Sequence, residues 1–428
     1  MNKIAFLIAL LLLALNSSAW AEKVYTLQDA YQSAISNNEV VKISEENVAQ
    51  SESRVDQAWT YVFPKLVGRA GYTRYNEVLP PEGDFIFQPL TQLSAALVLT
   101  QPLYTGGRTL AALRTAQTMR EASTRDLSST RQDITLNVAA AYYGVIKSEK
   151  MMEKSRESVD RMERHKKVTE REAATRRTKA NISNLLRART LVSQARIALT
   201  RDANNVMIAR QKLNLLTKLP ETAALAEPDP EPEPRESFED LKARALANRD
   251  EYAASKLNIY VAEENITIVK GGHRPQVYAE GAVQYLDSHP STMLDGTIYY
   301  GGLRLQVPIF EGGLTKAELS EARSKRRQAE LSLQYLQRSI ESEVYESYIN
   351  YQTITSVLQA ARLQYEDARS NFQAVESLFA QGLAASLALI DAQQALFIAE
   401  RELVNATYDR QLAILRLQRS VGMLEKRS

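Results

Sequence analysis

No cysteine occurs among the 428 residues, which excludes disulfides, thiolate metal sites and an N-terminal lipoprotein cysteine. Histidine is nearly as scarce. His165, His273 and His289 stand far apart, so a histidine metal site or a Ser-His-Asp triad has little to be built from. With no nucleophile or phosphate-loop motif either, an enzyme is disfavoured and no cofactor or metal is expected. An excess of one charge is also lacking: 53 Lys and Arg against 51 acids leave a net +2, which argues against a nucleic-acid binder by bulk electrostatics. Long apolar runs are missing beyond the first twenty or so residues, and a membrane-spanning helix needs about 20. If the mature chain is in a membrane, it must be there as strands.

Residues 1–21 read as a secretory leader, with Lys3 as the positive end, Ile4 to Leu15 as the apolar core and Ala19-Trp20-Ala21 as a small-x-small cleavage site. The mature chain is expected to begin near Glu22.

The dominant feature is a repeated stretch. Gln101-Pro102-Leu103-Tyr104-Thr105-Gly106-Gly107-Arg108-Thr109 is answered 206 positions later by Val307-Pro308-Ile309-Phe310-Glu311-Gly312-Gly313-Leu314-Thr315. An alternating strand pattern precedes each copy and a long helical pattern follows it. Proline, lacking a ladder donor, is expected to end the strand, and the paired glycines to permit the turn into a helix. Thr109 and Thr315 are then expected as N-caps, the second with Glu318 as a capping box.

The flanking patterns are duplicated as well. Leu27 to Val62 and Phe238 to Val269 share a seven-residue apolar seam at an offset of 211 and predict helices of about 33 residues, ~50 Å each. After Pro64 and Pro275 the period becomes two: Leu66, Gly68, Ala70 and Tyr72 match Val277, Ala279, Gly281 and Val283, and on the return strands Leu97 and Leu99 match Leu303 and Leu305. Thr100, Arg304 and Gln306 lie on the other face, so one face is apolar and one can meet water. A half-buried sheet on an ordinary core has this pattern too. The strand length of about nine to eleven residues, the leader, and the lack of a helix free to cover the apolar face favour strands in lipid. The connections Asn76 to Gln92 and Asp287 to Thr297 read as exposed loops.

Next, Ile134, Val138, Ala141, Val145, Ser148, Met152, Ser155, Val159 and Met162 keep 4-3 spacing, in register with Ile340, Val344 and onward to Phe379. These predict coiled-coil helices of roughly 66 to 68 residues, about 100 Å. The stretch Arg161 to Arg189 is rich in Arg and Lys and is a candidate docking surface for an acidic partner. Reversals at Thr178 to Ser183 and Gln381 to Ser386 lead to return helices of about 35 residues, ~50 Å. The Pro- and Glu-rich run in 220–236 is expected as an extended strap. The organisation read from the sequence is therefore a leader (1–21), a first repeat (22–219), a linker (220–236) and a second repeat (237–428). Its fold class is mainly α, with a small membrane β-barrel contribution. Four strands cannot close a barrel, whose smallest membrane form has eight, so chains must associate. Two copies give eight strands and three give twelve, and the pattern does not choose.

The duplicated strand, Pro-Leu-Tyr-x-Gly-Gly corner, long helix and short return helix resemble the TolC-like outer-membrane efflux proteins. Leu27-Gln28-Asp29-Ala30, Asn37-Asn38-Glu39 and Gly382-Leu383 followed by Asp391-Ala392-Gln393 add to the likeness. The resemblance implies a homotrimer in the outer membrane of a Gram-negative cell, with a twelve-strand barrel and an α-helical periplasmic tunnel. It implies docking with a periplasmic adaptor and an inner-membrane pump, for export of small toxic molecules or, alternatively, for type I protein secretion. A periplasmic coiled-coil scaffold is the remaining reading. In that family two aspartates three apart often narrow the tunnel mouth; here the positions are Ala388 and Asp391, with Arg187 as the first-half equivalent of Asp391. Asp391 and Arg187 are thus the gate candidates. Gly382, Leu383 and Thr178 are the candidates for the tip and adaptor contact.

Overall fold

A computed structural model of the chain describes residues 24–79, 86–175 and 178–424; the leader, together with Arg176 and Arg177 of the basic stretch, lies outside the described residues. In chain order the elements are β1 (Val24–Tyr25), α1 (Leu27–Asn37), α2 (Glu39–Thr60), β2 (Lys65–Arg74), β3 (Thr91–Tyr104), α3 (Arg108–Thr175), α4 (Lys179–Thr217) and β4 (Ala224–Leu225). The second half follows with α5 (Phe238–Asn248), α6 (Asp250–Gly272), β5 (Gln276–His289), β6 (Gly296–Gln306), α7 (Leu314–Ala380) and α8 (Ser386–Ser420). They gather into two units, each drawing on both halves: residues 43–128 with 250–338, and the remaining described residues.

The first of these units holds the sheet, with strand order β2-β3-β5-β6, antiparallel throughout. The register obeys the duplication: Leu66↔Leu99 and Gly68↔Leu97 of the first hairpin become Val277↔Leu305 and Ala279↔Leu303 of the second. Opposed residues share a face, so Leu66, Leu97, Leu99, Val283, Tyr299, Leu303 and Leu305 form one apolar surface. Leu66, Leu97, Leu99, Leu303 and Leu305 are all exposed, and Leu303 is 75% so. The opposite face carries Lys65, Arg69, Thr100, Gln284 and a Glu280–Arg304 ion pair at 2.7 Å. An apolar face left open beside a polar one is the pattern of a lipid-facing strand. Strands β3 and β5 have 14 residues each, longer than expected, because pairing of Thr91 with His289 extends them into the anticipated loops.

The corners differ from expectation in two ways. Pro102 does not end its strand: β3 bulges between Pro102 and Tyr104 and continues, the bulge absorbing the missing donor, whereas β6 stops at Gln306 before Pro308. The helices begin two residues earlier than N-caps at the threonines would allow. Thr109 is inside α3, its backbone N–H donating to Thr105 Oγ1 at 3.3 Å, and Thr315 Oγ1 donates to Glu311 Oε2 at 2.6 Å. Thr105 and Glu311, not Thr109, Thr315 or Glu318, therefore serve these helix starts. Gly106, Gly107, Gly312 and Gly313 all have positive φ.

In the other unit the predicted seam of α3 is buried at Ile134, Val138, Val145, Val159 and Met162, and that of α7 at Ile340, Val344, Leu358, Ala361 and Phe372. The two helices have 68 and 67 residues. The helices expected to be continuous from Leu27 and from Phe238 are each broken, at Asn38 and at Arg249, which are extended residues between helices. Asn38 Oδ1 accepts from Val40 N–H at 2.9 Å and its Nδ2 donates to Leu216 O at 3.1 Å. Arg249, 211 residues on, donates to Ser420 O at 3.4 Å and to Glu343 at 2.5 Å. Each break thus gives up one backbone bond and supplies a donor to a carbonyl left open at the end of its own return helix.

The linker is held as a strap. β1 pairs in parallel with β4, and the buried Tyr142 hydroxyl lies 2.8 Å from Tyr25 O and 2.6 Å from Ala226 O. Burial pushes that phenol up to about 12. Further along, Tyr408 donates to Glu227 at 2.8 Å, Glu231 N–H donates to Gln411 at 2.8 Å, and Arg410 pairs with Glu233.

Candidate functional site at the helix ends

The second hairpin turn is built by glycine. After α7 ends at Ala380, Gly382 takes φ 75°, its N–H donates to Phe379 O at 3.0 Å, and Leu383 N–H reaches back to Leu378 O at 2.9 Å. Beneath the turn Phe372, Leu389, Ala392 and Leu396 form a core with Tyr365, Val375 and Phe379 against it. Leu383 itself points outward, 72% exposed. Thr178 does another job: it is the N-cap of α4, accepting from Asn181 N–H at 3.2 Å. Helix α4 therefore already runs from Lys179 through the residues expected as the reversal, Thr178 to Ser183, and Thr178 is a cap rather than a structural counterpart of Gly382.

Asp391 and Arg187 are both exposed, and among the described residues they do not pair within one chain. Arg161 leaves the proposed docking stretch altogether. Its guanidinium lies 2.8 Å from Glu400, the two side chains only 10% and 8% exposed, with Glu157 at 3.6 Å. Two other members, Lys166 and Arg189, are neutralised locally by Glu170, while Arg164, Lys167 and Arg171 stay exposed.

A second buried constellation lies nearby in the same unit. Asp202 of α4 accepts from Ser155 of α3 at 2.6 Å and from Arg401 of α8 at 2.5 Å, so one carboxylate ties three helices. The sequence carried a signal for it: Asp202 occupies the seam slot between Leu199 and Val206, where an apolar residue was due. Losing Arg401 would leave the Asp202 carboxylate, 6% exposed, without its cation at a cost of about 3–5 kcal/mol.

His165, 3% exposed, sits with Nε2 3.1 Å from Ser386 Oγ in the first turn of α8 and its ring 5.6 Å from that of Phe379. Burial pushes the imidazole below its usual range, so the folded chain holds it neutral. The unfolded chain binds the proton first as pH falls through ~6.5, so this contact stabilises fully above that value and weakens below it. Thermal melts of the wild type should therefore lose midpoint temperature from pH 7 to pH 5. In His165→Gln that slope should be shallower; an unchanged slope would place the acid sensitivity elsewhere.

The family described as "Outer membrane efflux protein" matches residues 30–217 and 241–423, one block per half. The outer membrane protein TolC of Vibrio cholerae is 24% identical, over 96% of this chain and 93% of its own. The alkaline protease secretion protein AprF of Pseudomonas aeruginosa is 30% identical over only 29% of this chain and 26% of its own. The crystal structure of the Campylobacter jejuni CmeC outer membrane channel superposes with a TM-score of 0.80 at 14% identity, covering 93% of this chain and 85% of that one.

Proposed function

This chain belongs to the outer membrane efflux protein family, and from that premise we propose that it is the exit duct of a tripartite export system, taking small toxic molecules from an inner-membrane pump and a periplasmic adaptor out of the cell. The observation that carries the reading is the open sheet, apolar on one face, polar on the other, with two edge strands that have no partner among the described residues. In lipid such edges cost several kcal/mol for each unsatisfied backbone group, so copies must join them. Three copies close a twelve-strand barrel, and the polar face then lines a water-filled bore. The chain works as a conduit rather than a catalyst. The latches Arg161–Glu400 and Ser155–Asp202–Arg401 hold the helix ends closed, with Asp391 and Arg187 exposed to neighbouring copies at the mouth. Gly382 and Leu383 present the turn to the adaptor.

Small-molecule export is favoured over protein secretion because the efflux family spans both halves, while the likeness to AprF covers under a third of the chain. In planar bilayers the purified protein should give stepwise conductance and migrate as an oligomer on gels until heated. A soluble, detergent-independent monomer without pores would end the conduit reading. Deleting the gene should raise susceptibility to dyes and antibiotics; loss of a secreted protein with unchanged susceptibility would favour the secretion reading.

A further inference from the structure

On the polar face of the sheet, where strands give way to helices at the first corner, lies a cavity of about 470 Å³, within the roughly 300–1,000 Å³ of small-molecule sites. Its walls are mostly apolar and include the rings of Tyr61 and Tyr278 with Pro102 and Ile268. Lys65 and Arg108 line it too, and among the described residues no carboxylate does. Lys65 Nζ lies 4.8 Å from the centroid of the Tyr61 ring, and neither cation has an ion-pair partner among the described residues. The Tyr278 ring is held in place: its hydroxyl donates to Gln276 Oε1 at 2.6 Å, and the Arg304 guanidinium sits 5.3 Å from its centroid. Arg304 is itself neutralised by Glu280, so Lys65 and Arg108 are the charges left open here.

The turn from strand to helix does not require these residues. At the second corner the proline and the glycine pair recur, but the counterparts of Tyr61, Lys65 and Arg108 are Gly272, Gln276 and Leu314. One corner is thus built without the ring or either cation. What the first corner adds to the shared turn is an aromatic wall beside two unanswered positive charges.

We propose that this cavity binds amphipathic anions, molecules with a flat apolar body and a carboxylate or sulfonate head. The body lies against Tyr61, Tyr278 and Ile268, and the head meets Lys65 and Arg108. A single exposed ion pair contributes little in water, but here the head has two cations to meet while the body leaves water for an apolar wall. The inference rests on the conduit reading, in which the polar face lines the bore. It deepens that reading by naming a class of solute and giving each copy a station for it where the strands end.

Planar bilayers holding the full protein provide the test. Naphthalene-2-sulfonate should reduce the wild-type single-channel current in a saturable way, and 2-naphthol, the same body without the charge, should need about tenfold more for half block. Lys65→Gln and Arg108→Gln should each raise the half-blocking concentration of the sulfonate about two- to fivefold, and Tyr278→Leu about two- to tenfold. Arg69→Gln is the control. Arg69 lies on the same polar face but four residues along β2, about 13 Å away and beyond the Debye length of about 8 Å at physiological salt, so its loss should change half block by less than about twofold. Wild-type channels that respond equally to the two compounds or to neither would overturn the site and leave the conduit standing. So would an Arg69→Gln effect as large as those of Lys65→Gln and Arg108→Gln, since the bore's overall charge would then explain the block. The wild-type ratio decides even if a variant forms no channels. Absence of channels from the wild type would overturn the conduit, and the site with it.

Discussion

Gly106→Ala is expected to destabilise the sheet unit by about 2–5 kcal/mol, combining ~1–2 for a left-handed non-glycine residue with ~1–3 for overpacking. The residue has φ 68°, and the added methyl would meet Gly271 O at 2.3 Å and Arg274 Cβ at 2.9 Å. That oxygen belongs to backbone at the end of α6, so no side-chain rotation relieves the contact. Gly312→Ala is the control, with φ 61° and no neighbour within 4 Å. In the separated chain it carries only the conformational part, about 1–2 kcal/mol. Guanidinium unfolding in detergent should therefore show a much larger loss for Gly106→Ala. Gly312→Ala should stay closer to the wild type, since its methyl meets no neighbour. Equal losses of stability from the two substitutions would contradict this account of the corners.

Much of this architecture was legible in the sequence because it is written twice. A single Pro-Leu-Tyr-x-Gly-Gly stretch is only a turn, but its recurrence between the same strand and helix periods located the corners, all four sheet strands and both long helices. Details that depend on a partner far along the chain were hidden. The breaks at Asn38 and Arg249 exist because each side chain finds a carbonyl at the end of a return helix, 178 and 171 residues away, and heptad spacing runs through them unchanged. Residue type points to Thr109 as the cap, but the glycine pair starts the helix earlier and makes the Thr109 backbone N–H a donor to Thr105. Arg161 reads in the sequence as part of a docking surface because its partner, Glu400, lies 239 residues on.

The largest functional effect is expected at the Arg161–Glu400 pair. Glu400→Ala leaves a guanidinium in a site where its side chain is 10% exposed, with only Glu157 at 3.6 Å to answer it, and should cost about 3–5 kcal/mol. If the pair holds the helix ends in the closed arrangement, that energy comes out of the closed state. Single-channel conductance and antibiotic leakage into intact cells should both rise, with Arg161→Ala giving a comparable change. The double substitution should be milder than the two singles combined, because no unpaired charge remains. Asp391→Ala and Arg187→Ala provide the contrast: both residues are exposed, so stability should move by only ~0–1 kcal/mol. A conductance change in these variants without a stability change would mark them as ring residues at the mouth, and no change in either would remove them from the gate. Should Glu400→Ala lower stability yet leave conductance and leakage at the wild-type level, the buried pair is structural and the closed state is held elsewhere.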